Sequence, residues 1–168
     1  HDKELGDALT DNTYKDTGYR FHDVFHLACA AKLGWSPVLR KLLNRKRRSR
    51  KEVDRNEDGG LAQVIEEAIS AIVYKYASKH NLLEGTDTLD FDLLKLIKEL
   101  TNELEVKVCS AAVWEDVILE AYVVWRRLLN ENGGVVSLNL DKREIVYVSG
   151  HISKEGRDQS ASVKRGDV

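Results

Sequence analysis

Residues 61–79 have the sequence LAQVIEEAISAIVYKYASK, and this stretch decides the fold class. Its apolar side chains recur every three or four residues, which is the spacing of one face of an α-helix. The apolar face comprises Leu61, Val64, Ile65, Ala68, Ile69, Ile72, Val73 and Tyr76. The stretch therefore predicts a long amphipathic helix that buries this face in a hydrophobic core.

The chain before this helix shows the same spacing. Residues 19–33 predict a first helix, whose apolar positions are Phe21, Val24, Phe25, Ala28 and Ala31. Gly34 fits the end of that helix. Ser36 and Pro37 fit the N-cap and first position of a second helix that reaches about Lys46.

The chain after it predicts two further helices. One runs from Phe91 to Leu104, with Asp90 as its cap, and its core face is Leu94, Ile97 and Leu100. The other runs from Ala111 to Leu129, and its buried stripe is Trp114, Val117, Ile118, Ala121, Trp125 and Leu128.

The apolar period changes to two at the C-terminal end. Residues 136–140 and 145–148 alternate around a turn at 141–143, so they predict a β-hairpin. Short links between the helices favour antiparallel neighbours. The predicted fold is therefore mainly α, an antiparallel bundle of about five helices with a C-terminal β-hairpin.

Polar composition marks the two ends of this domain. Residues 1–18 are rich in Asp, Thr and Gly and predict an N-terminal arm, while the helical domain with its hairpin occupies residues 19–148. Residues 149–168 are low in apolar side chains and predict a flexible polar tail. Residues 48–60, which end in Gly59-Gly60, predict an exposed loop.

Overall charge and cysteine content limit the function classes. A formal net charge of -2 gives no global attraction to nucleic acid, and we expect no membrane partner because no apolar run approaches the roughly 20 residues of a spanning helix. Cys29 and Cys109 are far apart in sequence, which favours a reducing, cytoplasmic location. Cys29 fits a core position better than that of a nucleophile.

The segment from His22 to His26 is the most informative for chemistry. The two histidines are four residues apart and therefore share one helix face, which Asp23 adjoins. Imidazoles at this spacing can hold one metal ion. The alternative is a pair of histidines hydrogen-bonded at the rim of a helix.

Glu66 and Glu67 form the second candidate feature. Glu66 shares its helical line with small and apolar residues, so its carboxylate must be paired, protonated or bound to a metal. Glu67 lies nearer the edge of that face, where Lys75 or Arg20 could be its ion-pair partner.

Several cations could bind phosphate. Arg20, with Tyr19, could clamp a phosphate by a bidentate contact, unless it forms a structural salt bridge. The dense basic run at 45–51, including Arg45 and Lys46, could bind a nucleotide's phosphates. A solvated helix end is the alternative for that run.

Five motifs together resemble the C-terminal domain of MazG-like proteins, over about Leu5 to Val148. They are Gly18-Tyr-Arg-Phe-His-Asp-Val-Phe-His-Leu27, Leu33-Gly-Trp-Ser-Pro37, the basic run, Glu57-Asp-Gly-Gly60 and Val64-Ile-Glu-Glu-Ala68. The resemblance implies an all-α fold and Mg²⁺-dependent cleavage of nucleoside triphosphates to the monophosphate and pyrophosphate.

The family's metal motifs match only in part. The resemblance implies Glu-Glu-x-x-Glu on one helix and Glu-x-x-Asp on the next, but Ser70 replaces the third Glu here and Arg20 stands where the second motif has its Glu. The order of the two motifs is also reversed. We therefore expect that a catalytic N-terminal MazG domain could lie outside this chain.

The leading hypothesis combines these features into a metal-dependent nucleotide (NTP or dNTP) pyrophosphohydrolase, or its accessory domain. The proposed catalytic residues are Glu66, Asp23 and His26, and the metal ligands are His22, His26, Asp23, Glu66 and Glu67. Substrate binding falls to Arg20, Tyr19, Arg45 and Lys46. The expected cofactor is Mg²⁺, with Mn²⁺ or Zn²⁺ as alternatives.

Two other functions remain open. The chain could be a non-catalytic module that forms a homo-oligomer or docks onto a protein, with Trp35, Trp114 and Trp125 as exposed anchors. It could also bind nucleic acid through residues 45–51, although the overall charge does not lead us to expect that partner.

Overall fold

The computed structural model describes residues 18–43, Glu57 and residues 60–148. Within them, the α-helices are α1 Asp23–Ala28, α2 Pro37–Leu42, α3 Leu61–Ala77, α4 Phe91–Leu100 and α5 Ala111–Asn130. Strands β1 Val135–Asn139 and β2 Glu144–Val148 follow. The predicted mainly α fold with a C-terminal hairpin is confirmed. The predicted arm, the basic run and the predicted tail lie outside the described residues, apart from Gly18.

The first predicted helix is divided into three parts. A 3-10 turn at Tyr19–Phe21 precedes α1, and a wide π turn at Cys29–Leu33 follows it. Gly34 closes the π turn with a φ of 64°, and its backbone N–H donates to the Cys29 carbonyl. A left-handed conformation of this kind is favourable for glycine and ends the helix.

Helix α2 starts as its sequence predicts. The Ser36 side chain accepts a hydrogen bond from the Leu39 backbone N–H at 3.1 Å, and Pro37 is the first helical residue. The helix ends at Leu42, and the predicted end at Lys46 lies outside the described residues. The helix packs against α1 and α3.

Helix α3 buries part of the predicted face, since Ile69 and Val73 are core residues and Ile65, Ile72 and Tyr76 pack partly buried against the core. Its buried residues are Ala62, Glu66, Ile69, Ser70, Val73 and Ala77, whereas Leu61 and Val64 are exposed. The prediction of those two residues as core was wrong because it followed apolar period alone. Helix α3 instead turns the line that contains Glu66 inward, where neighbouring donors satisfy the carboxylate.

Helix α4 is shorter than predicted. It ends at Leu100 rather than Leu104, where the Thr101 hydroxyl donates to the Ile97 carbonyl at 2.8 Å. A 3-10 turn at Glu105–Val108 follows. Asp90 occupies the N-cap position, but its side chain makes no capping hydrogen bond, contrary to the prediction.

Helix α5 is the centre of the core. Each residue of its predicted stripe is buried, and the helix packs against α1, α4 and β2. Trp35 meets Trp114 edge to face at 6.3 Å between ring centroids. Trp35, Trp114 and Trp125 are all buried, so the proposal that they form exposed anchors is wrong.

The hairpin covers one side of this core. Its antiparallel register pairs Val135 with Val148 and Asn139 with Glu144, and Ile145 is buried. The Asn139 side chain accepts a hydrogen bond from the Lys142 N–H at 2.9 Å within the turn. No helix in the described part of the chain has both the length and the apolar character needed to cross a bilayer.

Candidate metal centre

Glu66 on α3 is a fully buried carboxylate with three hydrogen-bond donors. Its Oε1 accepts from His26 Nδ1 at 2.9 Å and from the Ser36 hydroxyl at 2.7 Å. Its Oε2 accepts from the Val38 backbone N–H at 2.9 Å. The donors come from α1 and from the start of α2, so one side chain of α3 connects three helices. This is the pairing that a buried acid requires.

His26 on α1 is also fully buried, with a different acid at each ring nitrogen. Nδ1 meets Glu66, while Nε2 lies 3.4 Å from a carboxylate oxygen of Glu67. Nε2 has no hydrogen-bond partner among the described residues. Burial lowers the pKa of His26, but the Glu66 hydrogen bond and the charges of Glu66, Glu67 and Asp23 outweigh it, so the pKa is raised overall.

His22 lies one helical turn before His26, nearer the surface. Its Nδ1 donates to the Tyr19 carbonyl at 2.9 Å, and its Nε2 lies 3.4 Å from Asp23 Oδ1. The imidazole stacks on the Tyr19 ring at a centroid distance of 4.7 Å. The backbone carbonyl and the aromatic face therefore fix the orientation of the imidazole.

Three potential ligand atoms converge here. One each from His22, Asp23 and His26 lie within 4.8 Å of one another. The Nδ1 of each imidazole faces an oxygen that can only accept, the Tyr19 carbonyl or the Glu66 carboxylate, so Nδ1 carries the proton in both rings. Both Nε2 atoms are then available to a cation. Each lies 3.4 Å from a carboxylate oxygen, a contact that a proton or a metal ion between the two atoms would stabilise.

The outer side of the cluster is open to solvent. The side chains of Asp23 and Glu67 are each 44% exposed, whereas His26 and Glu66 are completely buried. The cluster therefore has a rigid inner wall and an accessible acidic outer edge.

An aromatic column supports the cluster from the core. Tyr19 contacts Tyr74 edge to face at 4.9 Å, Tyr74 stacks on Trp125 at 5.6 Å, and Trp125 stacks on Tyr122 at 5.0 Å. Burial, with a further contribution from the charge of Glu67, raises the pKa of the Tyr19 phenol. The position of His22 is thus connected to the packing of α5.

The structure does not bring the predicted phosphate-binding cations together at the cluster among the described residues. Arg20 donates to Asn132 Oδ1 at 2.8 Å, and its guanidinium lies 4.5 Å from the Phe21 ring centroid. Asn132 follows α5, so this contact ties the first turn to the end of the last helix. Arg45 and Lys46 lie outside the described residues.

Glu57 is a second buried acid, which the sequence analysis missed. Its Oε2 accepts from Trp35 Nε1 at 2.7 Å and lies 3.5 Å from Arg40 Nη2, and its Oε1 accepts from the Glu105 N–H. The prediction of residues 48–60 as exposed was therefore wrong at this position. The available signal was the Trp35 indole, which needs an acceptor when buried.

Cys29 is a core residue, as predicted. It lies in the π turn and is fully buried. Burial raises the pKa of its thiol well above the usual value, and the charge of Glu66 adds to this effect. The thiol is consequently a poor nucleophile.

Comparison with known proteins gives one match. The model of the MazG C-terminal domain family matches residues 1–151. The match spans the whole helical domain and the hairpin. No curated protein matches the chain significantly, and no solved structure does so either.

Proposed function

This chain belongs to the MazG C-terminal domain family, and from that premise we propose that it is the cation-dependent, nucleotide-binding accessory domain of a MazG-type pyrophosphohydrolase. The observation that carries the proposal is the buried His26 Nε2, which lacks a hydrogen-bond partner among the described residues and belongs to a side chain grouped with His22 and Asp23. A buried polar atom without a partner is costly unless a ligand satisfies it.

The negative charges around the cluster favour the binding of a cation, and a phosphate can bind only after the cation has neutralised them. Asp23 and Glu67 lie at its open edge and would repel a polyphosphate by themselves. A bound divalent cation would reverse this by neutralising the acids and accepting phosphate oxygens at its open positions. Nucleotide binding should therefore depend on the cation.

The chain's own residues have separate roles in this proposal. His22 and His26 supply nitrogen ligands, and Asp23 supplies an oxygen at the solvent side. Glu66 holds the Nδ1–H of His26 and so directs Nε2 toward Glu67. Because Glu66 already accepts three hydrogen bonds from the protein, we assign it positioning rather than catalysis.

The proposed accessory role follows from the small number of carboxylates that are available for catalysis. With Glu66 engaged, Asp23 and Glu67 are the half-exposed carboxylates beside the cluster. The hydrolytic motif that the resemblance implies, by contrast, uses several carboxylates on two helices, and Ser70 and Arg20 depart from it here. We therefore propose that bond cleavage occurs in a separate catalytic domain.

Calorimetry with the complete chain tests this function. A non-hydrolysable dNTP analogue should bind in the presence of divalent cation and not in EDTA, and Asp23→Asn should weaken that binding. His80→Gln is the control, because His80 also donates Nδ1 to a carbonyl and stacks on a tyrosine but joins no comparable ligand group among the described residues.

Two results would reject the proposal. One is nucleotide binding that is equally strong in EDTA. The other is an Asp23→Asn variant that binds the cation–nucleotide complex as well as His80→Gln does. A pyrophosphate assay with dNTP substrates completes the test, since release by this chain alone would replace the accessory role with a catalytic one.

A further inference from the structure

We infer that the cluster is built for a nitrogen-preferring transition metal ion, Zn²⁺ foremost, held by His22, Asp23, His26 and Glu67, rather than for Mg²⁺. The inference rests on the cation site of the proposed function and specifies the metal it takes. It concerns ligand chemistry and stands apart from whether a nucleotide binds there.

The ligand atoms favour this class of metal. Two of the four proposed ligands are imidazole nitrogens, which suit Zn²⁺ and its neighbours in the first transition row. Mg²⁺ prefers six oxygen ligands and keeps several waters. A pair of imidazoles, one of them fully buried, does not fit Mg²⁺.

The two ligand separations that are closest fit a four-coordinate ion. Two ligand atoms on a tetrahedral zinc ion, each about 2.0–2.2 Å from the metal, lie about 3.4 Å apart. The His22 Nε2–Asp23 Oδ1 and His26 Nε2–Glu67 Oε2 separations are both 3.4 Å. The separations within the His22–Asp23–His26 group are all at most 4.8 Å, and Glu67 is added as the fourth ligand because of its short distance to His26 Nε2.

Both imidazoles already have the outer partners that metal-binding histidines use. A carboxylate or backbone carbonyl commonly holds the second ring nitrogen and fixes the tautomer. Here Glu66 holds His26 and the Tyr19 carbonyl holds His22. These contacts leave Nε2 as the unprotonated nitrogen of both rings, whose centroids are 6.1 Å apart, without any ion being needed to set the tautomer.

A competing state uses protons instead of a metal. In that state each imidazole is doubly protonated and pairs with its own acid, His22 with Asp23 and His26 with Glu67. The two states compete, because a transition metal can bind the imidazoles only by displacing the protons on Nε2. Direct measurement of metal binding therefore distinguishes them.

The experiment compares Zn²⁺, Mn²⁺ and Mg²⁺ by calorimetry on the metal-free complete chain, with Co²⁺ absorption as the readout of coordination. We expect Zn²⁺ to bind one site at least about tenfold more tightly than Mg²⁺. Bound Co²⁺ should give the intense visible bands of a four-coordinate site. His22→Gln should remove both signals, and His80→Gln should change neither.

Glu66→Gln tests the positioning of His26. Loss of the outer carboxylate should weaken Zn²⁺ binding by about 10–100-fold and leave some Co²⁺ absorption, since the direct ligands remain. Circular dichroism establishes whether this buried variant folds. His22→Gln and Asp23→Asn alter partly exposed side chains and keep the inference testable if it does not.

Defined results overturn the inference. Equal or tighter binding of Mg²⁺ would do so, as would Zn²⁺ binding that survives His22→Gln unchanged. The outcomes also separate it from the proposed function. Tight Zn²⁺ binding without any nucleotide binding leaves this inference standing and removes the function, whereas nucleotide binding that depends on Mg²⁺, with Mg²⁺ bound at least as tightly as Zn²⁺, does the reverse.

Discussion

His26 and Glu66 are 40 residues apart in the chain, yet they share a 2.9 Å hydrogen bond that solvent does not reach. Ser36 and Val38 donate to the same carboxylate. The helices α1, α2 and α3 are therefore held at one point by polar contacts in addition to apolar packing. Stability and the geometry of the candidate metal centre depend on the same side chain.

Removal of Glu66 should be costly. Glu66→Ala leaves three buried donors without their acceptor, and we expect the free energy of unfolding to fall by about 3–5 kcal/mol. Glu67→Ala is the matched control because Glu67 is the next residue on α3 and its side chain is half-exposed. Its cost should stay below about 1 kcal/mol. Urea denaturation measures both, and equal losses would contradict the central role of Glu66.

Two serine caps isolate the contribution of one buried hydrogen bond. Ser36 and Ser110 both accept a capping bond, from Leu39 and Val113 respectively, but Ser36 also donates to Glu66. Ser110→Ala should cost about 1 kcal/mol and Ser36→Ala about 1 kcal/mol more.

The additional cost of Ser36→Ala should vanish in a Glu66→Ala background, because Ser36 then has no buried acceptor to lose. A double-mutant cycle followed by urea denaturation measures this coupling. An unchanged cost of Ser36→Ala in that background would show that the two side chains act independently.

The buried acid at Glu57 should also be structural. Glu57→Ala leaves the Trp35 indole and the Glu105 N–H without their acceptor, so we expect a loss of about 2–4 kcal/mol. Glu57→Gln keeps one carbonyl oxygen and should lose less. Thermal unfolding ranks the variants, and a Glu57→Ala protein as stable as the parent would refute this account.

The two cysteines should differ in reactivity. Burial raises the pKa of Cys29, and the side chain has no access to reagent, whereas Cys109 is partly exposed. A thiol reagent at neutral pH should therefore label one cysteine quickly, and the second only after guanidinium unfolds the chain. In Cys109→Ser the fast phase should disappear. If the fast phase persists in that variant, Cys29 is accessible after all.

The sequence predicted those elements whose signals are local. Ser36 and Pro37 start α2 by a mechanism that involves only neighbouring residues, and the structure has this cap. The α5 stripe is likewise correct because its apolar positions keep one regular period along the helix. Local chemistry and strong periodicity are what a single sequence reports most directly.

The errors in the helices arise where tertiary contacts override local pattern. Residues 100–104 keep an apolar spacing compatible with helix, but Lys98 donates to the carbonyls of Lys107 and Cys109 and so stabilises the 3-10 turn that follows them. Leu61 and Val64 continue the apolar period of α3 while lying outside the core. Neither the early end of α4 nor the exposure of Leu61 and Val64 can be predicted from the local sequence of the helix.

The candidate centre was predictable only in part. The spacing of His22 and His26 indicates a shared face, and the surroundings of Glu66 indicate a partner. Ser36 and Val38 are among these partners because of the way α2 packs against α3, and no residue spacing reveals that packing. The contact between Arg20 and Asn132 joins opposite ends of the described chain and lacked a signal for the same reason.

The shared Oε1 atom of Glu66 also limits the length of the segment that connects His26 to Ser36. His26 and Ser36 both donate to that atom, so residues 27–35 must complete α1, widen into the π turn and reverse direction over a fixed number of positions. An insertion or deletion there would rotate one donor away from the acid. Surface connections usually tolerate changes in length, but this one should be kept constant across relatives that retain the same three donors.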